Sequence, residues 1–159
     1  MIQEQSFDFN ASGARFSLPM LSAKTQYASL AMLELAMLDS EGRPVQAARI
    51  AQRHGIPGQF LVQIMHALKR AKLVASTRGA AGGYRLSRSP QEITIGEIVA
   101  VFESIEEPTH CAASESPFAP TLLEVCCELS RARRVQLEST TLAELADRAA
   151  VHAEPMWYI

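Results

Sequence analysis

The sequence of 159 residues has only three cysteines, and it has no run of the roughly 20 apolar residues that a membrane-spanning helix needs. Three cysteines cannot form the paired disulfide framework of a small secreted domain, so thiol or metal chemistry is the functional alternative for them. The first residues, Met-Ile-Gln-Glu-Gln-Ser, lack the basic and apolar regions of a signal peptide. We therefore expect a cytoplasmic protein that does not bind membranes.

The sequence also lacks the short motifs of the common enzyme classes. It has no phosphate-binding loop, no nucleophile elbow and no histidine paired with a carboxylate at catalytic spacing. With 48% apolar and 20% charged residues, its composition is typical of a globular protein rather than a disordered one. We expect a globular protein that is not an enzyme.

The formal net charge of −2 conceals an uneven distribution along the chain. Residues 22–90 contain ten basic and three acidic side chains, whereas residues 91–159 contain four basic and twelve acidic ones. A polyanion would therefore be attracted to the first of these segments and repelled by the second. This segregation indicates a nucleic-acid partner for residues 22–90.

The basic segment begins with a pattern of three helices. We predict helices over residues 22–38 and 45–54 and a third that starts near Pro57, with Gly55 as the stop between the last two. The third helix carries one apolar stripe, formed by Leu61, Ile64, Leu68 and Ala71. Two short helices joined by a tight glycine turn are typical of a helix-turn-helix, whose second helix enters the DNA major groove.

A glycine-rich turn follows at residues 73–88, between two runs that favour β-strands. Glycines at positions 79, 82 and 83 permit a tight turn, and Arg78 and Arg85 flank it. This pattern predicts a β-hairpin wing whose arginine reaches a phosphate or a narrow minor groove.

The polar face of the third helix supplies the candidate base contacts. Gln59 and Gln63 lie one turn apart, and glutamine can pair with adenine in the major groove, while His66 can follow them or bond a phosphate. The side chains assigned to phosphates are Lys24, Lys69, Arg70 and Arg78.

Several segments together resemble the Rrf-type family of bacterial winged helix-turn-helix regulators, which contains IscR, NsrR and CymR. They are residues 21–28, 56–64, 68–74, 78–86, 92–99 and 139–145, so the resemblance extends over roughly residues 20–148. It implies a mostly α fold with a small β-hairpin wing and a long C-terminal dimerisation helix. It also implies a homodimer that binds a roughly palindromic operator in double-stranded DNA and often senses iron–sulfur status, nitric oxide, redox state or cysteine metabolism. The DNA contacts that it implies are Gly58, Gln59, Gln63 and Arg78, beside the wing glycines Gly82 and Gly83.

Two positions depart from the family pattern. Val62 stands in the recognition helix where many members have an acidic residue, and Ala81 replaces the third glycine of the wing. A valine in the groove makes only apolar contact, for example with a thymine methyl group, so we expect a different operator preference.

The cysteines also depart from the arrangement of cluster-binding relatives, which have three close together in the loop before the dimerisation helix. Cys111 matches the first of these, but the other two positions fall near Ala113 and Pro120. Cys126 and Cys127 lie instead in the helix predicted over 120–138, on directions about 100° apart, so they cannot easily bind one metal together.

Three interpretations of the cysteines stay open. An iron–sulfur cluster would need Cys111, His110 and one helical cysteine from the same or the partner subunit. A thiol redox sensor would use Cys127, because Arg131 and Arg134 lie one and two turns further along the helix, although Glu124 and Glu128 oppose them. Alternatively the cysteines have no sensory role, and Cys126 is simply part of an apolar dimer stripe with Leu122, Val125, Leu129 and Ala132.

We divide the chain into an N-terminal arm (1–20), a winged helix-turn-helix (21–90), a connecting helix and sensor loop (91–119), a dimerisation helix with a following helix (120–150) and a tail (151–159). We expect a homodimeric repressor that responds to redox or iron–sulfur status. The alternative is a regulator without cofactor that is controlled by a docked partner protein or a small-molecule effector.

Overall fold

The computed structural model describes residues 20–39, 42–104 and 106–153. In these ranges the chain forms α1 (Ala23–Met37), α2 (Ala47–His54), α3 (Gly58–Arg70), β1 (Val74–Thr77), β2 (Gly83–Leu86), α4 (Ile95–Ala100), α5 (Ala119–Ser139) and α6 (Leu142–Ala153). The fold is therefore mostly helical with one hairpin, as predicted. The N-terminal arm lies outside the described residues except for Met20, as do residues 154–159 of the tail. Within the described ranges, no helix has both the length and the apolar character needed to cross a bilayer.

The first helix begins where its sequence predicts. Ser22 caps α1, because its side-chain oxygen accepts a hydrogen bond from the Thr25 N–H at 3.2 Å. The second helix ends at Gly55, which adopts a left-handed conformation with φ of 63°.

The prediction that the second helix starts at residue 45 is wrong. Val45 forms an antiparallel bridge with Tyr84, and each backbone N–H donates to the other's carbonyl oxygen at 2.8 Å. A β-branched residue suits this extended position, where its backbone groups find partners on the edge of the hairpin and its side chain is buried. The start of α2 is thereby fastened to the wing.

A continuous core joins the winged helix-turn-helix to the elements after it. From α3, the side chains of Leu61, Ile64, Met65 and Leu68 are fully buried. They pack with Met32 and Leu35 of α1, Ile50 of α2, Ile93, Ile98 and Val99 around α4, and Leu142 of α6. Ala71 was predicted to belong to the apolar stripe of α3, but it is exposed because it caps the end of the helix.

The long helix α5 stands largely outside this core. Ala119 is its buried residue, whereas Leu122, Val125, Leu129 and Val135 are between 47% and 66% exposed. Near its end α5 lies close to α4, where a Cβ added to Gly96 would be 3.2 Å from the backbone of Leu137. The chain therefore presents an apolar helix face that its own described residues leave uncovered.

Candidate nucleic-acid interface

The recognition helix α3 separates its side chains cleanly between the core and solvent. Its buried residues face α1 and α2, whereas Gln59, Gln63 and His66 are all exposed. Val62 is 40% exposed on the same outer side. The predicted base-contacting residues are thus available to a ligand.

The turn before α3 sets its direction. The Ile56 N–H donates to the Ala51 carbonyl oxygen at 2.9 Å, and the buried Ile56 side chain anchors the turn in the core. Pro57 caps α3, and Gly58 is its first residue. The ring of Phe60 in α3 packs edge-to-face on Tyr27 of α1, with centroids 5.9 Å apart, which fixes the helix against its neighbour.

A basic cleft lies between α1 and the outer side of α3. It has a volume of about 540 Å³ and is lined by Lys24, Gln63, His66, Ala67, Lys69 and Arg70. We call it the basic cleft. The Lys24 ammonium lies 5.3 Å from the ring centre of Phe102, which holds it at the edge of the cleft by a cation–π contact. Three cationic side chains, two side chains with hydrogen-bonding groups and an open surface suit a phosphate group.

The wing is fastened to the end of α3. The Lys69 Nζ atom donates to Ser76 Oγ in β1 at 2.6 Å, so this lysine, predicted to contact phosphate, also has a structural contact. In the hairpin Val74 pairs with Leu86 and Thr77 with Gly83. Arg78 follows β1 and is exposed at the turn, as the sequence predicts.

The two wing glycines lie where the backbone leaves no room for a side chain. A Cβ on Gly82, which is buried, would overlap the carbonyl oxygen of Thr77. A Cβ on Gly83 would lie 2.5 Å from the carbonyl oxygen of Val45. This geometry explains both glycines by the packing of the hairpin itself.

The sequence does not predict that the helix-turn-helix contains a buried carboxylate, Glu34, with basic side chains around it. The Glu34 side chain in α1 is only 2% exposed and accepts a hydrogen bond from Arg53 Nη1 at 3.2 Å, with His54 Nε2 at 3.4 Å from its other oxygen. These contacts join α1 to the last turn of α2. The signal was a carboxylate between the apolar residues Leu33 and Leu35, a position that requires a charged partner.

The candidate sensor residues lie around the start and middle of α5. The Cys127 thiol donates to the Pro108 carbonyl oxygen at 3.5 Å, and Cys111 and Cys126 are also partly buried. Arg131 was predicted to favour a Cys127 thiolate, but its guanidinium makes two hydrogen bonds of 3.1 Å to Glu107. That pairing lowers the pKa of the Glu107 carboxyl and places a negative charge against Arg131. The Arg131 guanidinium is therefore bonded to a carboxylate as well as lying one turn from Cys127.

The donor set of one chain does not fit an iron–sulfur cluster. In the described part of the chain, no three histidine, cysteine or acidic side chains are grouped as metal ligands. His110 Nδ1 lies 3.3 Å from the Thr109 hydroxyl, and the two helical cysteines project in different directions from α5.

Comparison with known proteins agrees with this architecture. The model of the family Rrf2, "Iron-dependent Transcriptional regulator", matches residues 21–148. The chain is 34% identical to the protein rrf2 of Nitratidesulfovibrio vulgaris over 137 residues, which are 82% of this chain and 89% of that one.

Solved structures give the same result. The global cysteine regulator CymR of B. subtilis superposes with a TM-score of 0.72 at 35% identity, over 80% of this chain and 96% of that one. IscR of T. potens superposes with a TM-score of 0.71 at 31% identity, over 87% and 96%. These matches confirm the resemblance and the winged-helix fold, and the relatives are regulators rather than enzymes. The chain belongs to the Rrf2 family of helix-turn-helix transcriptional regulators.

Proposed function

We propose that the protein binds double-stranded DNA as a homodimer and represses transcription from a roughly palindromic operator. The observation that carries the proposal is the exposed polar side of α3 beside the basic cleft. Among the described residues, Arg70 and Arg78 form no ion pair with an acidic side chain, so both are available to phosphates.

The roles of the side chains divide between bases and backbone. Gln59 and Gln63 are assigned to base edges in the major groove, with His66 next to them at the basic cleft. Phosphates are assigned to Lys24, Lys69, Arg70, Arg78 and the backbone at Gly58. Gly82 and Gly83 act indirectly, by giving the wing its shape.

A comparison of two variants tests this division. Arg78→Ala should weaken binding to every duplex and reduce the slope of log affinity against log salt by about one. Gln63→Ala should cost roughly 1–3 kcal/mol at particular base pairs and leave random DNA almost unaffected. Equal losses on all sequences in both variants would contradict the division, and failure of wild type to retard any duplex at low salt would refute DNA binding. Transcription in vitro from a selected operator then tests repression, and increased transcript would refute it.

Dimerisation is supported by the exposed apolar face of α5. Pairing of two α5 helices about a two-fold axis would cover Leu122, Val125 and Leu129 with their copies. It would also place the two recognition helices roughly 34 Å apart, which is one turn of DNA. Light scattering should give a dimer at micromolar concentration. Leu129→Asp should shift it to monomer, because two buried carboxylates would face each other without partners. A wild-type monomer, or an unaltered dimer in the variant, would contradict this interface.

The proposed signal is oxidation of a cysteine thiol. Cys111 and Cys127 lie in and just before the helix that would set the spacing of the two DNA-reading halves, so their modification can change operator affinity. With hydrogen peroxide, the thiolate sulfur attacks one oxygen, the O–O bond breaks, and hydroxide leaves as the sulfur is oxidised to a sulfenic acid. Because the donors of one chain do not fit a cluster, we assign no step to iron and sulfide.

The signal experiment compares reduced, peroxide-treated and anaerobically reconstituted protein. Peroxide should alter the affinity of wild type but not of Cys111→Ala or Cys127→Ala, whichever bears the sensing thiol. Absorbance after reconstitution with iron and sulfide identifies a cluster directly. A bound cluster would replace thiol oxidation as the proposed signal. Equal affinity in all three states would refute both.

The second candidate is control by a docked small molecule or partner protein. A cleft of about 400 Å³ on α5, lined by Pro120, Leu123, Glu124, Cys127, Glu128 and Arg131, favours it. It predicts that Leu123→Trp, which fills the cleft, changes operator affinity in the reduced protein whatever the state of the thiols.

A further inference from the structure

The turn after α4 holds the beginning of α1 through one carboxylate. Glu103 continues the helical hydrogen bonding of α4, with its N–H donating to the Val99 carbonyl oxygen at 2.9 Å. Its side chain is 19% exposed, and Oε1 accepts a hydrogen bond from the backbone N–H of Ser22 at 2.7 Å. Ser22 is the cap of α1, so Glu103 fixes the point at which the first helix starts.

Arg133 of α5 completes this arrangement from the opposite side. Its Nη2 atom donates to Glu103 Oε2 at 3.1 Å and to the carbonyl oxygen of Met20 at 2.8 Å. Arg133 itself is 29% exposed. The pair Glu103–Arg133 thus connects the end of α4 and the middle of α5 to Met20 and Ser22, which precede α1.

The same turn also contacts Lys24 directly. Phe102, next to Glu103, lies under the Lys24 ammonium at 5.3 Å, and Lys24 lines the basic cleft. Phe102 and Glu103 together therefore contact both the start of α1 and the ammonium group of Lys24. Arg133 lies six residues after Cys127 in the same helix. A displacement of α5 would therefore reach the start of α1, which carries Lys24, through the contacts of Arg133 with Glu103 and Met20.

We propose that Glu103 and Arg133 are positioning residues for DNA binding, which hold Lys24 in the basic cleft at the place where a phosphate binds. The inference rests on the proposed function. Glu103 cannot help directly, because a carboxylate repels DNA. The contribution of Glu103 is to fix the start of α1. A tilt of α5, caused by dimerisation or by modification of a cysteine, would then alter the phosphate contact of Lys24 through Glu103.

The test is a double-mutant cycle measured with a random duplex over a range of salt concentrations. Glu103→Gln should weaken binding about three- to tenfold and reduce the salt slope toward that of Lys24→Gln, which loses about one unit. On the Lys24→Gln background, Glu103→Gln should no longer weaken binding. The sign is diagnostic, because removal of a negative charge alone would tighten binding.

Matched controls separate positioning from charge and from folding. Glu144→Gln makes the same charge change in an exposed pair with Arg148 on α6 and should bind DNA at least as tightly as wild type. Circular dichroism verifies that each variant is folded at the assay temperature. If Glu103→Gln does not fold, Arg133→Gln replaces it, with Arg148→Gln as its control, and should lose more affinity than that control.

Two results would overturn the inference. One is a Glu103→Gln variant that binds as tightly as Glu144→Gln. The other is a loss of the same size with and without Lys24, which would assign Glu103 a general structural role. Both leave DNA binding itself intact, whereas a wild-type protein that binds no duplex at low salt overturns the proposed function together with this inference.

Discussion

Alanine substitutions at two glycines should separate a DNA contact from a folding requirement. A Cβ on Gly58, the first residue of α3, would meet no atom within 4 Å, and the φ angle of Gly58 is not positive. A Cβ on Gly83 in the wing would lie 2.5 Å from the Val45 carbonyl oxygen. Gly58 is therefore free of steric demands from its own chain, and Gly83 is not.

The expected magnitudes follow from these contacts. Gly58→Ala should leave the free energy of unfolding unchanged or raise it by up to about 0.5 kcal/mol, because alanine favours the helix. In the complex the added methyl group would separate the α3 backbone from its phosphate. Loss of one such contact, about 1.4 kcal/mol, lowers DNA affinity about tenfold on every sequence.

The wing variant should behave in the opposite way. Gly83→Ala pushes apart the two backbone hydrogen bonds between Val45 and Tyr84, worth about 1 kcal/mol each, and so lowers stability by about 2 kcal/mol. For a chain of this length the melting temperature should fall by roughly 4–8 °C. The affinity of Gly83→Ala for DNA should fall only to the extent that the wing is distorted.

Thermal unfolding by circular dichroism and anisotropy of a labelled duplex measure both quantities on the same samples. A phosphate contact at Gly58 is refuted if Gly58→Ala binds DNA like wild type, since α3 would then not approach the DNA backbone by its first turn. The steric difference between the two glycines is refuted if Gly58→Ala is destabilised, or if Gly83→Ala melts at the wild-type temperature.

Three further predictions concern single side chains. Lys72 has a φ of 60°, a conformation that suits glycine, so Lys72→Gly should raise the free energy of unfolding in urea by about 1 kcal/mol, and a lower value would contradict this. Burial raises the pKa of the Glu103 carboxyl, but hydrogen bonds from Thr25, Ser22 and Arg133 outweigh burial, so the pKa is lower than its ordinary value. The unfolded state therefore binds the proton more tightly, and the stability advantage of wild type over Glu103→Gln, present above about pH 4.3, should shrink as the pH falls further; an advantage independent of pH in urea titrations would refute it. Val62→Ala should make binding indifferent to replacement of one operator thymine by uracil, whereas wild type should lose about fourfold, the value of one methyl group near 0.8 kcal/mol; equal losses in both would show that Val62 does not face thymine.

The elements that the sequence predicts well are those with local signals. Ser22 and Gly55 mark helix ends by their own backbone and side-chain chemistry, and the glycines at 82 and 83 mark the hairpin. The period of the apolar residues in α3 fixes which of its side chains are exposed. These features need no knowledge of what lies elsewhere in the chain, so fold class and the exposed face of α3 followed from the sequence.

The features that the sequence does not predict depend on distant partners. Val45 is extended because β2 offers it two hydrogen bonds from almost forty residues away. The turn that follows α3 contains Lys72, a residue with no preference for the left-handed conformation that it adopts. Arg131 lies one turn from Cys127 on the helix, but its charge is directed to Glu107 in a loop whose path the sequence does not show.

The division of charge along the chain acquires a different meaning once the ion pairs are known. In the acidic half, Glu97, Glu103, Glu107 and Glu144 each pair with an arginine, and three of those arginines belong to the same half. The pairs of Glu97, Glu107 and Glu144 are largely exposed, so they contribute little to stability and are screened by salt, whereas the pair of Glu103 with Arg133 is mostly buried. Their main effect is to neutralise carboxylates that would otherwise repel a polyanion. The cations of the basic cleft and of the wing lie in the other half, where acidic residues are few. Even with these pairs, the acidic half keeps an excess of carboxylates, so the positive field that attracts a polyanion is concentrated on the side of α3 that carries the basic cleft.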